Sequence, residues 1–308
     1  MAQSSLKIIL VSQKGGVGKS SIAANLAAWF SAKRDKKTCL LDFDPHGSSS
    51  TWVRDARQIG LEARHHPLDE AGARRWLLAA RTALRHATDA HEVVVADLTW
   101  TAQVDPEFLM GFDLVLVPSG VSEIELAATT GFVDRYRWVF SPADRSLIPP
   151  TLVLCPSRIR PEQVLAHDFS GAAFSVPFVL APPVFDEPLM RSFFRRDFLP
   201  CHNGVEAQPF LRFAEGIATA AMVHRSRMEQ RPAAKPVAKP LSGYNSVLSR
   251  YLAERTRERQ DPPVDVRAAP SPVLTVPPKP PAAPRSLSLL SRFLSKTAEP
   301  AQANADKL

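Results

Sequence analysis

The chain is poor in cysteine: Cys39, Cys155 and Cys201 are its three, far apart and with no C-x-x-C pair among them. That argues against a disulfide framework and against a zinc or iron–sulfur site, and it fits a reducing compartment. Long apolar runs are also missing. The polar segment Met1–Ser5 leads into Leu6 and Ile8 to Val11, too short a stretch for a signal peptide or a membrane span. A cytoplasmic protein is expected, free or associated with nucleoid or inner membrane. Charge of one sign is lacking over most of the chain as well. The formal charge of +7 belongs to residues 231–308, where 13 Lys+Arg face 6 Asp+Glu, while the remainder holds 25 of each. The basic balance therefore describes a tail, either a solubility device or an electrostatic handle for nucleic acid or anionic lipid.

What is present is a regular alternation. Continuous apolar runs at Leu6–Val11, Thr38–Asp42, Glu92–Asp97, Leu114–Pro118, Thr151–Cys155 and Pro177–Leu180 read as strands covered on both faces. Helical patterns at Ser20–Ala32, Ala71–Ala87, Glu123–Phe140 and Pro209–Arg227 lie between them. This predicts an α/β fold with a doubly wound, mostly parallel sheet of about six to eight strands over residues 1–229. Residues 230–308 change texture: 13 of the 28 prolines fall in 231–308, and a disordered, partly extended tail is expected. Two islands in it share the pattern S-[VL]-L-S-R-[YF]-L, at 246–252 and 288–294. On a helix, Leu248, Tyr251 and Leu252 share one face, as do Leu290, Phe293 and Leu294. The repeat reads as a docking motif used twice, as a pair of membrane anchors, or as a coincidence of composition.

The strongest chemical signal is Gln13-Lys14-Gly15-Gly16-Val17-Gly18-Lys19-Ser20-Ser21, placed after one predicted strand and opening a predicted helix. Glycines there let backbone N–H groups curl around phosphate oxygens. Lys19 reaches the β- and γ-phosphates, and the Ser20 hydroxyl ligates Mg²⁺. ATP and Mg²⁺ are the expected ligands, with Lys14 to Ser21 as the nucleotide-binding run.

With Lys14 included, K-G-G-V-G-K-S resembles the deviant Walker A motif of the ParA/MinD family. The resemblance covers roughly Leu6–Met228. It implies that Lys14 crosses a homodimer interface to the partner's nucleotide, in the manner of an arginine finger. Asp42-Phe43-Asp44-Pro45-His46-Gly47 is similar to the family's switch segment, with His46 in place of the usual Gln. By resemblance Asp44 polarises the attacking water and, with Lys14 and Lys19, is catalytic. Asp42 supports the Mg²⁺ shell, and Asp97, ending a Walker B strand, holds the ion through water. Asp113–Pro118 is similar to the strand before the family's dimer-facing loop. After Thr151–Cys155, many relatives carry an adenine-reading Asn where this chain has Pro156-Ser157-Arg158.

The switch segment looks most like those of compact partition ATPases and of the ParA-like protein that assists T-DNA transfer. With the glycine-rich loop beginning at Gln13, no N-terminal helix-turn-helix is expected, and no operator-specific binding with it. The nitrogenase iron protein and iron–sulfur carriers need interface cysteines that this spacing does not offer. Arg191, Arg195 and Arg196, interleaved with Phe193 and Phe194, read either as a sequence-blind DNA contact or as a solvated helix face. The expected function is an ATP-dependent dimerisation switch with slow hydrolysis, acting in DNA partition or positioning with an activating, ParB-like partner. The alternative is a recruitment ATPase for a secretion machine such as cellulose synthase, a polar complex or a membrane, acting through the tail.

Overall fold

The computed structural model describes residues 4–67, 73–101, 104–142, 148–160, 162–163 and 174–230. The tail motifs at 246–252 and 288–294 lie outside these. Strands β1 (Leu6–Ser12), β2 (Thr38–Asp42), β3 (Glu62–His65), β4 (Val93–Thr99), β5 (Leu114–Ser119), β6 (Thr151–Ile159) and β7 (Val179–Leu180) pair in the order β3-β2-β4-β1-β5-β6-β7. All pairings are parallel, and a short β8 (Val184–Phe185) pairs with the end of β6.

Successive residues of each strand serve opposite faces, which is why the strands read as unbroken apolar runs. Ile8, Leu10, Leu40, Val95 and Leu116 pack on one side with helices α1 (Lys19–Arg34) and α7 (Gln208–Glu229). Ile9, Val11, Leu41, Val94 and Val115 pack on the other with α3 (Ala73–Ala90), a 3₁₀ turn at Pro106–Gly111, and α4 (Glu123–Arg135). Helix α1 is buried without a break from Ile22 to Phe30. It is hydrophobic nearly all round because it sits beneath α7 and against the sheet.

Four local differences from the sequence reading have physical causes. Strand β3 has no apolar run because it is the sheet edge, with side chains half-buried or exposed. Helix Glu123–Phe140 is two helices: the chain kinks at Tyr136 before α5 (Arg137–Phe140), where the Trp100 indole N–H donates to the Tyr136 hydroxyl at 3.2 Å. Residues Ser48–Asp55 form α2, entered through Gly47 at φ 61°. Strand β6 does not stop at Cys155 but runs on to Ile159 with a shift of register around Arg158, whose φ is 57°. A left-handed arginine inside a strand is the mark of a bulge.

Candidate functional site

The carboxyl ends of β1, β2 and β4 converge on one cleft. Its floor is the loop from Ser12 to Ser20, where Gly16 (φ 77°) and Gly18 (φ 81°) turn the backbone through the left-handed region and release α1. A side chain at either position would have room, so the φ values rather than crowding demand glycine. The loop is tied from behind by the bulged end of β6. Ser157 Oγ donates to the Val17 carbonyl at 2.9 Å, and the Arg158 guanidinium donates to the Gly16 carbonyl. Neither anchor was visible in the sequence, because each partner is about 140 residues away.

Lys19 is buried, and its ammonium lies between two carboxylates: it pairs with Asp97 and stands 3.4 Å from Asp44 Oδ2. Burial pushes the Asp97 carboxyl up from its ordinary value, with Lys19 and the neighbouring Ser20 pulling the other way. Asp44 moves in the opposite direction. Burial opposes its charge, but hydrogen bonds from Thr99 Oγ1 and from His46 N at 3.0 Å, together with Lys19, hold its carboxyl below the usual range.

Asp42 is fully buried, and both its oxygens serve the backbone: Oδ1 accepts from Asp44 N at 3.0 Å and Oδ2 from Ser50 N at 2.8 Å. It thus shapes the switch segment and fastens the first turn of α2. Its position beside Asp97, as register partners of β2 and β4, adds to the pressure on the Asp97 charge. Gly47 closes the turn because the His65 imidazole lies against it, 3.0 Å from where a Cβ would stand. The same imidazole meets the Asp44 carbonyl at 2.8 Å through Nε2. His46 is exposed on the cleft wall.

The donor set suits a hard cation. Asp97 Oδ2 is buried and has no hydrogen-bond partner among the described residues, and the Ser20 hydroxyl is beside the same carboxylate. An orphaned carboxylate oxygen next to a hydroxyl fits Mg²⁺. Lys14 stands half-buried at the rim, and its ammonium makes no ion pair among the described residues.

The predicted arginine cluster comes together at the turn after α6 (Pro188–Ser192), beside α2. Two of its members are already occupied. Arg191 pairs with Asp186 at 3.0 Å, and Arg195, at φ 63°, pairs with Asp55 at 2.6 Å. Arg196 is exposed, and Arg54 and Arg57 of the α2 region lie nearby, paired with Asp55 at 3.7 Å and with Asp197 at 3.4 Å. Phe193 stacks on His202, while Phe194 meets Trp52 edge-on and stays 44% exposed, so only one of the two phenylalanines joins the interior.

Comparison with known proteins agrees with this geometry. The chromosome-partitioning ATPase Soj of Thermus thermophilus is 34% identical over 112 residues, covering 30% of this chain and 45% of that protein. The maintenance of carboxysome distribution protein A of Gloeobacter kilaueensis is 41% identical over 56 residues, 18% of this chain and 25% of that protein. The matches thus span less than half the length of these curated relatives. Among solved structures, apo McdA from Cyanothece superposes with a TM-score of 0.53 at 13% identity, covering 69% of this chain and 99% of that one. MinD from Pyrococcus horikoshii complexed with Mg-ADP gives 0.50 at 16%, covering 71% and 98%. Such distant likenesses speak for the fold alone. The family profile described as CobQ/CobB/MinD/ParA nucleotide binding domain matches residues 8–303, nearly the whole sequence, and the chain belongs to that family.

Proposed function

We propose that this chain is an ATP-driven switch that dimerises around its nucleotide, hydrolyses it slowly, and acts in partition or positioning. The observation that carries the reading is the buried Lys19 shared between Asp97 and Asp44, with one Asp97 oxygen left without a partner. Two carboxylates around one lysine leave the cleft ready for a cation and its phosphates. Backbone N–H groups of Gly15 to Ser20 receive the phosphate oxygens, and Lys19 exchanges its carboxylate partners for the β- and γ-phosphates. Ser20 and Asp97 would hold Mg²⁺, which would neutralise phosphate charge. Asp44, kept ionised by Thr99, His46 N and Lys19, orients the attacking water. Asp42 keeps Asp44 and α2 in register, a positioning role. Lys14, without an ion-pair partner among the described residues, is free to reach a second subunit's phosphates. Hydrolysis then requires two copies, and nucleotide state and assembly become one variable.

The names of the partition and carboxysome-distribution relatives support a positioning role on DNA. Arg196, with Arg54, Arg57, Arg191 and Arg195 once released from Asp55, Asp197 and Asp186, provides the basic surface for it. The test is co-sedimentation of the Asp44→Ala protein with random duplex DNA, in ATP and in ADP, across a salt series. Binding that needs ATP and weakens steeply with salt supports this reading. No binding by a protein that does dimerise moves the function to recruitment through the tail.

A further inference from the structure

A second cluster lies at the opposite end of the sheet from the cleft. Cys39 on β2 and Glu62 on β3 are register partners, and His91 stands between α3 and β4. The ligand atoms of these three residues all lie within 4.8 Å of one another. Cys39 and His91 are buried, whereas the Glu62 side chain is 45% exposed, so the cluster opens to solvent on one side. Three elements far apart in sequence supply it, which is why cysteine spacing gave no sign of it.

His91 sets the chemistry. Its Nδ1 lies 3.0 Å from the Ala87 carbonyl oxygen, which can only accept, so that nitrogen carries the proton. Nε2 then directs its lone pair at Glu62 Oε2, 2.9 Å away. Two acceptors at that distance call for a cation between them, either a second proton on the ring or a metal ion. A backbone carbonyl on one imidazole nitrogen is how metal-ligating histidines are oriented. The other Glu62 oxygen is held by Arg64 Nε at 2.5 Å, which fixes the carboxylate. Cys39 offers the third donor, its thiol spending its proton on a long 3.7 Å contact with the Leu40 carbonyl. Burial, then the Glu62 charge, push that thiol up to about 12, so a metal that ligates the sulfur must displace its proton to solvent.

We propose that Cys39, Glu62 and His91 form a three-ligand site for a borderline-soft divalent cation of the zinc class, with solvent completing it on the Glu62 side. One sulfur, one imidazole nitrogen and one carboxylate oxygen select such an ion over Mg²⁺ or Ca²⁺. The site is separate from the nucleotide cleft at the other end of the sheet and independent of the ATPase reading. Its location gives it a use: β2 continues to Asp42, and β3 ends at His65, whose ring holds the Asp44 carbonyl. An ion at the base of these two strands stiffens the pair that carries the switch segment.

The test uses the full chain, stripped with chelator, dialysed, and titrated with Zn²⁺ and with Co²⁺. One zinc equivalent is expected, and the cobalt form should show a near-ultraviolet thiolate-to-metal charge-transfer band. Cys39→Ser should erase the band. Cys39→Ser, His91→Gln and Glu62→Gln should each weaken zinc by at least the roughly 10–100-fold that loss of an outer-shell partner produces. Asp97→Asn, in the nucleotide cleft, should leave the equivalent unchanged. Absence of the cobalt band from the unmodified chain overturns the proposal without reference to any variant. A zinc equivalent that survives both Cys39→Ser and His91→Gln overturns it as well.

Discussion

Beyond β2 and along β4, two buried aspartates, Asp44 and Asp97, share one lysine and leave an oxygen without a partner among the described residues. At the amino ends of β1 and β5 the arrangement is reversed, and Asp113 is enclosed. Its Oδ2 accepts from Lys7 N at 2.7 Å, and its Oδ1 lies 3.3 Å from the Lys7 ammonium. Glu92 nearby is served in the same way by Lys36 at 2.7 Å and by Lys37 N at 3.1 Å. Both ends belong to the same strands and the same core. One end has spent its hydrogen-bonding capacity on stability, and the other has kept some in reserve for a ligand. Changes at the carboxyl end should therefore alter turnover and nucleotide affinity, and changes at Asp113 or Glu92 should alter stability alone.

The largest effect should come from a residue that touches neither carboxylate. Lys14→Ala removes the rim cation and should lower ATP turnover by about 10³–10⁵-fold, the range of an arginine finger, while nucleotide still binds. Single-turnover rates beside nucleotide titrations check this, and unchanged turnover would remove the trans-lysine role. Lys19→Ala should abolish nucleotide binding. It should also destabilise the nucleotide-free protein by about 3–5 kcal/mol, because two buried carboxylates lose their common partner. Chemical denaturation measures the loss, and adding Asp97→Asn should recover much of it.

At the amino end the effects shrink. Asp113→Asn weakens the charge-assisted bond to Lys7 N and the pairing with its ammonium, and should cost about 1–3 kcal/mol with turnover intact. The smallest effect concerns His224 of α7, whose Nδ1 meets Thr151 Oγ1 at 3.0 Å. Burial lowers its pKa from 6.5; Asp113 opposes that shift, while Arg227 and Lys7 add to it. The folded state therefore binds fewer protons than the unfolded one just below pH 6.5, so stability is full above that value and falls as the pH drops through the window beneath it. His224→Gln should flatten the slope of stability against pH in that window and leave ATP turnover untouched.

The difference between the ends also explains what the sequence showed. The phosphate loop is contiguous, so Lys14 to Ser21 announced themselves by residue type and order. The inner strands were legible because burial on both faces makes them unbroken apolar runs. Strand β3 was not, since an edge strand of Glu62-Ala63-Arg64-His65 has no such run. Thr99, Ser157 and Arg158 carried no signal either. They act through contacts 55 to 142 residues distant, and only the folded chain brings them to Asp44, Val17 and Gly16. Asp42 was legible as a member of the cleft, but its work for Ser50 N depends on α2, which the sequence did not reveal as a helix. The arginine cluster was visible as composition, whereas its pairing with Asp55 and Asp186 was not.

If a second copy completes the cleft at the carboxyl end of the sheet, nucleotide should set the oligomeric state of the Asp44→Ala protein. Sedimentation velocity in saturating ATP with Mg²⁺, and again in ADP, reads that state. Removing Asp44 should slow hydrolysis by at least about 10²-fold and so hold the ATP state. A dimer in ATP and a monomer in ADP are expected. A protein that binds ATP yet stays monomeric in it would rule out a site completed by a second copy.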